Sequence, residues 1–184
     1  TNIIEYFENL KMDITKELNE NQTILIVVGN VDYNSTIAQM AKQLSKKSLC
    51  YVTLNKTYQS LTELFKKKRV NLANVVFIDG ITKTVRDAKN TEACYFTSSP
   101  GALTELSLAI TKIADHRFHY VIFDSITNLT IYQTQGMVIR FISSIIAKIK
   151  ARKETKLVLF ALKTKENEQM IKQTGMFVDK VINL

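Results

Sequence analysis

The segment TILIVVGNVDYNST, from Thr23 to Thr36, gives the clearest indication of the fold. Its first seven residues form a mostly β-branched apolar run that ends at Gly29, as expected for a strand buried on both faces. Ser35 opens a segment in which apolar residues recur at helical spacing as far as Lys47. The stretch therefore predicts a buried strand, a loop at residues 30–34, and an amphipathic helix.

Strand-like and helix-like segments alternate along the rest of the chain. The predicted strands are Thr23–Gly29, Cys50–Leu54, Val75–Asp79, Ala93–Thr97, Tyr120–Asp124, Leu157–Leu162 and Lys180–Leu184. The longest amphipathic helix is predicted around Val138 to Ile149, and Ser99 and Pro100 predict the start of another, as N-cap and first helical residue. This alternation indicates βαβ units and a mainly parallel sheet covered on both faces.

Length and composition favour one α/β domain over residues 1–184. The chain is 46% hydrophobic and 23% charged, and one proline and five glycines leave little room for a flexible linker. Apolar residues at helical spacing from Ile3 to Leu18 predict an N-terminal helix within residues 1–20, packed outside the core. No apolar run reaches the roughly 20 residues of a membrane span, and no secretory signal is visible. We therefore expect a cytoplasmic protein without membrane contact, in which Cys50 and Cys94 are buried, reduced thiols.

Ligands of parallel α/β sheets bind at the carboxyl ends of the strands, so the residues after the first strand are the candidate site. The frame from Gly29 to Thr36 has the length of the phosphate-binding (Walker A) loop G-x-x-x-x-G-K-[ST], and both of its end residues match. Asn34 stands in place of the second glycine and Ser35 in place of the lysine, while Asp32 adds a carboxylate that repels phosphate. What remains is a helix N-terminus that attracts an anion weakly.

Asp124 and Ser125 end the predicted strand YVIFD, at the position where P-loop enzymes hold magnesium through water. Thr36 and Asp124 are therefore the candidate magnesium ligands, in case a nucleotide binds. The alternative is that Asp124 and Ser125 cap the following turn. Lys163 and Lys165 follow the strand LVLFAL and are candidates to replace the missing lysine, although exposed loop lysines are the simpler interpretation.

Six segments, in order along the chain, resemble the RecA/KaiC-like ATPases, especially the short archaeal KaiC-like proteins. They are ILIVVGN, YVTLNKTYQSL, VVFIDGIT, YVIFDSITNL, ISSIIAKIKARKETKLVLFAL and FVDKVINL. The resemblance covers most of the chain from Ile24 to Leu184. It implies a three-layer α/β/α RecA-like P-loop NTPase fold with core strand order 5-1-4-3-2. It also implies an ancestral ATP site between the Gly29 loop and Asp124.

The departures from this family predict a loss of catalysis. In KaiC-like enzymes, paired glutamates after the second strand polarise the attacking water, and here Asn55 and Lys56 stand at those positions. Because phosphoryl transfer depends on positioning and charge stabilisation, we expect no catalytic residue. The vestigial nucleotide site comprises Gly29, Asn34, Ser35, Thr36, Asp124 and Ser125. We expect no cofactor beyond Mg-ATP bound with weak affinity, and any remaining activity would be ATP hydrolysis.

Three functions stay open on the sequence. The first is an inactive family member in regulation or protein assembly, as a homo-oligomer or with a protein partner, with the helix at residues 3–18 as one interaction surface. The second is an ATP-binding sensor with slow or no hydrolysis. The third is a DNA- or RNA-binding accessory protein like the recombinase paralogues, favoured by the net charge of +8. The basic residues are spread along the sequence, and the one dense run, Lys66–Arg69, also suits the end of a solvated helix.

Overall fold

The computed structural model describes residues 12–184. These residues form seven strands and six α-helices. The strands are β1 (Thr23–Val28), β2 (Leu49–Thr53), β3 (Val75–Asp79), β4 (Cys94–Phe96), β5 (Tyr120–Asp124), β6 (Lys156–Leu162) and β7 (Lys180–Asn183). The helices are α1 (Ile14–Glu20), α2 (Tyr33–Leu44), α3 (Tyr58–Lys67), α4 (Leu103–Asp115), α5 (Gln135–Lys150) and α6 (Glu168–Gly175). Short 3-10 helices occupy Leu72–Asn74, Thr82–Thr84 and Ile126–Ile131.

The strands form one parallel sheet in the order β4-β3-β2-β5-β6-β1-β7. Read from β7, the strands β7, β1, β6, β5 and β2 reproduce the expected core order 5-1-4-3-2, and β3 and β4 extend the sheet beyond β2. The carboxyl end of β5 lies between its neighbours, with Asp124 in register with Thr53 of β2 and Phe160 of β6. The sheet therefore confirms the predicted RecA-like topology.

Helices cover both faces of the sheet and enclose two apolar cores. One core joins the sheet to α1, α2 and α3, and the other joins it to α4, α5 and α6. Successive strand residues alternate between the two cores, so that Ile24 and Ile26 belong to the first and Leu25 and Val27 to the second. Burial on both faces explains why the strands read as continuous apolar runs rather than as alternating patterns.

Two predicted helix starts were wrong. The first is that of α2, which begins at Tyr33 instead of Ser35. The second is that of α4, whose N-cap is Ala102 and not Ser99. The carbonyl of Ser99 accepts a hydrogen bond from the Ala102 amide (3.2 Å), and Pro100 lies in the preceding turn, buried beside Gly80. This contact holds the turn against the sheet, so the helix starts only after it.

The predicted N-terminal helix lies partly outside the described residues, including Ile3, Phe7 and Leu10. The described part is α1, where the side chain of Asp13 caps the first turn by accepting from the Lys16 amide at 3.1 Å. Ile14 and Leu18 are fully buried and belong to the core that α1 shares with α2. This half of the segment is therefore part of the domain's own packing and not a free interaction surface.

The structure also bears on the membrane and cysteine expectations. No helix within residues 12–184 is long and apolar enough to cross a membrane. Cys50 and Cys94 are free and buried, and burial raises the pKa of both thiols. Over the same residues, no group of three or more His, Cys, Asp or Glu side chains is arranged to hold a metal ion.

Candidate functional site

The loop between β1 and α2 is shorter than the sequence predicts. Only the four residues 29–32 separate the end of β1 from Tyr33, the first residue of α2. The N-cap residue Asp32 makes no side-chain capping hydrogen bond. Tyr33 and Asn34, which the sequence predicts as loop residues, therefore belong to the first turn of the helix, so fewer loop residues remain to wrap around a phosphate.

Tyr33 accounts for the early start of α2. Its side chain is 5% exposed and packs edge-to-face on Phe160 of β6, with ring centroids 6.2 Å apart. Burying a large aromatic side chain stabilises a fold by roughly 1.5–3 kcal/mol, which anchors the helix at this residue. The Tyr33 hydroxyl is buried without a hydrogen-bond partner. The Tyr33 ring is therefore packed on the sheet, and this packing keeps residue 33 in the helix instead of in an open loop.

The backbone of Gly29–Thr36 lacks the nest conformation that holds phosphates, in which residues of right- and left-handed conformation alternate. Among residues 12–184, a positive φ occurs only at Arg69 and Arg117. Asn34 therefore does not reproduce the backbone freedom of the glycine it replaces. Gly29 lies in open space, since an added Cβ would meet nothing within 4 Å.

The side chains at the end of this frame serve the helix. The Ser35 hydroxyl donates to the carbonyl of Asp32 at 2.9 Å, and the Thr36 amide donates to the same carbonyl at 2.9 Å. Ser35 is exposed, whereas Thr36 is only 8% exposed, which leaves little surface for a hydrated metal ion. The position of the phosphate-holding lysine is thus taken by a hydroxyl that bonds its own helix start.

Asp124 lies at the carboxyl end of β5 and is fully buried. Its Oδ2 accepts a hydrogen bond from the Tyr51 hydroxyl at 2.6 Å, and its Oδ1 is buried without a partner. Burial raises the pKa of Asp124 well above its usual value, because the surroundings disfavour the charged form. Burial thus disfavours the charged carboxylate that Mg²⁺ prefers as a ligand.

Hydrogen bonds link the turn after β5, which begins at Ser125, to the end of β6. The peptide bond between Asp124 and Ser125 is cis. The Ser125 hydroxyl bonds Thr127 Oγ1 at 2.9 Å and Asn128 Oδ1, and Thr127 Oγ1 accepts from the Leu162 amide at 3.1 Å. Ser125 is the N-cap residue of the 3-10 helix Ile126–Ile131, but its side chain makes no capping hydrogen bond to that helix. Since the Asp124 side chain bonds Tyr51 instead, the alternative that Asp124 and Ser125 cap the turn through their side chains is wrong.

The candidates to replace the missing lysine, and the turn after β2, lie at the same edge of the sheet as the Gly29 loop. The Lys163 amide donates to the carbonyl of Val28 at 2.9 Å, which places its backbone beside the Gly29 loop, and the side chains of Lys163 and Lys165 are exposed. Thr53 Oγ1 closes the turn after β2, because it donates to the Lys56 carbonyl at 2.6 Å and accepts from the Lys56 amide at 3.1 Å. A lysine therefore stands where the family has a water-activating carboxylate.

Asp79 is a buried polar residue that the sequence analysis did not single out. It lies fully buried at the end of β3. Its two carboxylate oxygens accept from the amides of Tyr58 (2.7 Å), Ile81 (2.6 Å) and Thr82 (2.8 Å) and from the Thr82 hydroxyl (2.5 Å). Asp79 thereby fixes the loops after β2 and β3. Its signal in the sequence is an Asp followed three residues later by Thr, a local capping pattern.

Five clefts of about 380–530 Å³ lie away from these residues. None of the five is lined by Asp124 or by any residue from Gly29 to Thr36. Three of them are lined by Leu108, the most exposed apolar residue of α4, and together they follow the groove between α4, α5 and the β4 edge. The concave apolar surface along α4 is therefore separate from the vestigial nucleotide site.

Comparison with known proteins establishes the fold. The crystal structure of a KaiC-like protein from the hyperthermophilic archaeon Pyrococcus horikoshii matches with a TM-score of 0.63 and 12% sequence identity. The match covers 89% of this chain and 70% of that chain. No family model and no curated protein matches the sequence. Together with the strand order, the structural match shows that this chain has the fold of a RecA/KaiC-like ATPase domain.

Proposed function

We propose that this chain is a catalytically inactive RecA/KaiC-like domain that acts in the cytoplasm, in regulation or protein assembly. The observation that carries the proposal is the start of α2 at Tyr33, whose buried ring takes Tyr33 and Asn34 out of the degenerate Walker A loop and into the helix. The helix start leaves no amide wrap for a triphosphate, and Ser35 supplies no cation. The burial of Asp124, which disfavours its charged form, also supports the proposal.

The loss concerns the two contributions on which phosphoryl transfer depends. Positioning requires the phosphate loop, and charge stabilisation requires a cation and a metal ion near the transferred group. Removing a single electrostatic donor from an active site typically lowers kcat by about 10²–10³. Since the lysine and the water-activating carboxylate are both replaced here, hydrolysis should fall below detection.

The test is steady-state phosphate release from Mg-ATP by the purified chain and by its Asp124→Ala variant. We expect both to release phosphate at the rate of a control without protein. A rate above that control which Asp124→Ala abolishes would refute inactivity, because it would place the reaction at this site.

An exposed apolar face supports a role in assembly. Leu108 of α4 is 66% exposed and Met137 of α5 is 41% exposed, and both line the same cleft. Tyr95, 39% exposed on the edge strand β4, continues this surface. Contiguous exposed apolar surface on a folded domain commonly marks a protein-binding site. The groove along α4 is therefore the surface proposed to contact a second copy or another protein.

A second function, an ATP sensor without fast hydrolysis, is favoured by the open end of α2. The first turn of α2 carries no side-chain cap, so its amides remain available to an anion, and Gly29 beside it is unobstructed. Magnesium-ATP should then raise the melting temperature, by an amount that grows with the logarithm of the ratio of ligand concentration to Kd. No shift of the melting temperature at millimolar Mg-ATP would refute the sensor function and favour the inactive domain.

A further inference from the structure

The edge of the sheet opposite the candidate nucleotide site collects the net charge of the protein. We define this amino edge as the segments that lead into β1, β2, β3, β5, β6 and β7, which are residues 20–22, 45–48, 66–74, 115–119, 150–156 and 176–180. They contain 12 of the 25 Lys and Arg residues but only 4 of the 17 Asp and Glu residues. The net charge of these segments is therefore +8, which equals that of the whole chain, and the rest of the chain has a net charge of zero.

Hydrogen bonds hold these segments side by side in one row. Asn74, before β3, donates to the Ser45 carbonyl before β2 at 2.8 Å, and Ser48 accepts from the His119 amide before β5 at 3.0 Å. The Lys156 amide of β6 donates to the His119 carbonyl at 2.9 Å. The segments with exposed cations lead into the four neighbouring strands β3, β2, β5 and β6, so at about 4.8 Å between strands they span about 14 Å of the edge.

Most of the basic side chains in this row face solvent. Three are held in ion pairs, namely Lys150 with Asp179 (2.8 Å), Arg152 with Asp115, and Lys180 with Glu17 (2.6 Å). Eight others are exposed: Lys46, Lys47, Lys66, Lys67, Lys68, Arg69, Arg117 and Lys153. They lie at the ends of α2, α3, α4 and α5, so the fold brings basic residues that are distant in sequence to the same edge of the sheet.

Two arginines at this edge have an unfavourable backbone conformation. Arg69 (φ 58°) and Arg117 (φ 57°) directly follow the C-cap residues of α3 and α4, and among residues 12–184 they alone have a positive φ. Glycine is the usual residue at this position, because a side chain there is strained. A favourable charge at a helix end does not need this position. Backbone strain at two exposed arginines of one surface points to a function for their side chains.

We infer that the amino edge binds the phosphate backbone of double-stranded nucleic acid. A linear row of exposed cations fits a rod of regularly spaced phosphates, and each phosphate neutralised releases counterions. Sequence-independent binding of single strands relies on aromatic stacking. The exposed large aromatic side chain of this edge is Phe177, at its β7 end, so the edge suits a duplex. The surface lies opposite the Gly29 loop, so this inference does not depend on nucleotide binding or on inactivity.

The test is fluorescence anisotropy of a labelled DNA duplex of about 30 base pairs, titrated with the chain between about 50 and 200 mM salt. The first variant is Arg69→Gly with Arg117→Gly, which removes two charges and relieves the strain. Its matched control is Lys83→Ala with Lys89→Ala, which removes two exposed charges from the segment between β3 and β4. A second variant, Lys67→Gln with Lys153→Gln, leaves the backbone strain in place.

We expect wild type and the lysine control to bind alike, with affinity falling steeply with salt. Each double variant of the amino edge should bind roughly tenfold more weakly at low salt, with a salt slope smaller by about two. The glycine variant should also melt at a higher temperature than wild type. The inference is overturned by no association at low salt, by equal weakening in the lysine control, or by tighter binding of the matching single strand. Binding to phosphatidylserine vesicles without binding to the duplex would overturn it as well.

Discussion

The buried carboxyl of Asp124 should make the stability of the protein depend on pH. Burial raises its pKa in the folded state, while in the unfolded chain the pKa is about 3.9, so the folded state retains a proton that the unfolded state releases. The stabilisation present below about pH 4 is therefore lost as the pH rises towards the folded-state pKa, by at most about 1.4 kcal/mol per pH unit. Asp124→Asn should remove this contribution to the slope of unfolding free energy between about pH 5 and pH 8.

Denaturant titrations at several pH values measure the slope, and Asp87→Asn provides the matched control because Asp87 is exposed. Only the slopes are compared, since the amide NH₂ of Asn replaces one of the two buried carboxyl oxygens and thereby changes the stability at every pH. Equal slopes for wild type and Asp124→Asn would show that the carboxyl is not held neutral.

The hydrogen bond from Tyr51 to Asp124 should be a strong pairwise contribution at the end of β5. Tyr51→Phe leaves the buried carboxyl without its donor, and an unsatisfied buried polar group costs about 1–3 kcal/mol. Tyr58→Phe is the control, since the ring of Tyr58 packs on Phe77 (5.1 Å between centroids) and is only half-buried.

A double-mutant cycle with Asp124→Ala separates this bond from packing. In the Asp124→Ala background, Tyr51→Phe should cost far less than in wild type. Additive costs of the two substitutions in chemical denaturation would mean that the two side chains are not coupled.

Among the helices, α2 determines whether the phosphate loop can be rebuilt. Asn34→Gly with Ser35→Lys restores the two motif residues, yet we expect phosphate release to stay at background, because Tyr33 still anchors the helix start against Phe160. Ser35→Ala is the control that removes the bond to the Asp32 carbonyl without adding charge. Hydrolysis by the double variant that Asp124→Ala abolishes would show that the loop retains its freedom.

The same helix shows which features could not be predicted from the sequence. Each central strand reads as an apolar run, and the resemblance supplied the strand order, so the sheet could be predicted. The start of α2 could not, because Tyr33 reads as a loop residue until Phe160 of β6 is known to lie beside it. Asp124 was placed correctly at its strand end. Its pairing with Tyr51 depends on β2 and β5 being neighbours, and no local pattern encodes the burial that results.

At the scale of the whole molecule, the parallel sheet separates two chemistries. Loops at the carboxyl ends of the strands hold the vestigial nucleotide site, and segments at the amino ends hold the surplus positive charge. In the sequence the basic residues are spread from one end to the other, because each helix contributes only a few. The fold brings the helix ends together, and only then does a single basic surface exist.

The groove along α4 leads to a prediction about assembly with a second copy. Burying exposed apolar surface favours association, and Leu108 lines all three clefts of that groove. Leu108→Glu should weaken self-association at least about tenfold in sedimentation, since it buries a charge without a partner. The melting temperature should hardly change, because 66% of the side chain is exposed. Val85→Glu, at a residue 73% exposed outside these clefts, is the control. A wild-type chain that stays monomeric at high concentration, or equal weakening by both variants, would contradict self-assembly through α4.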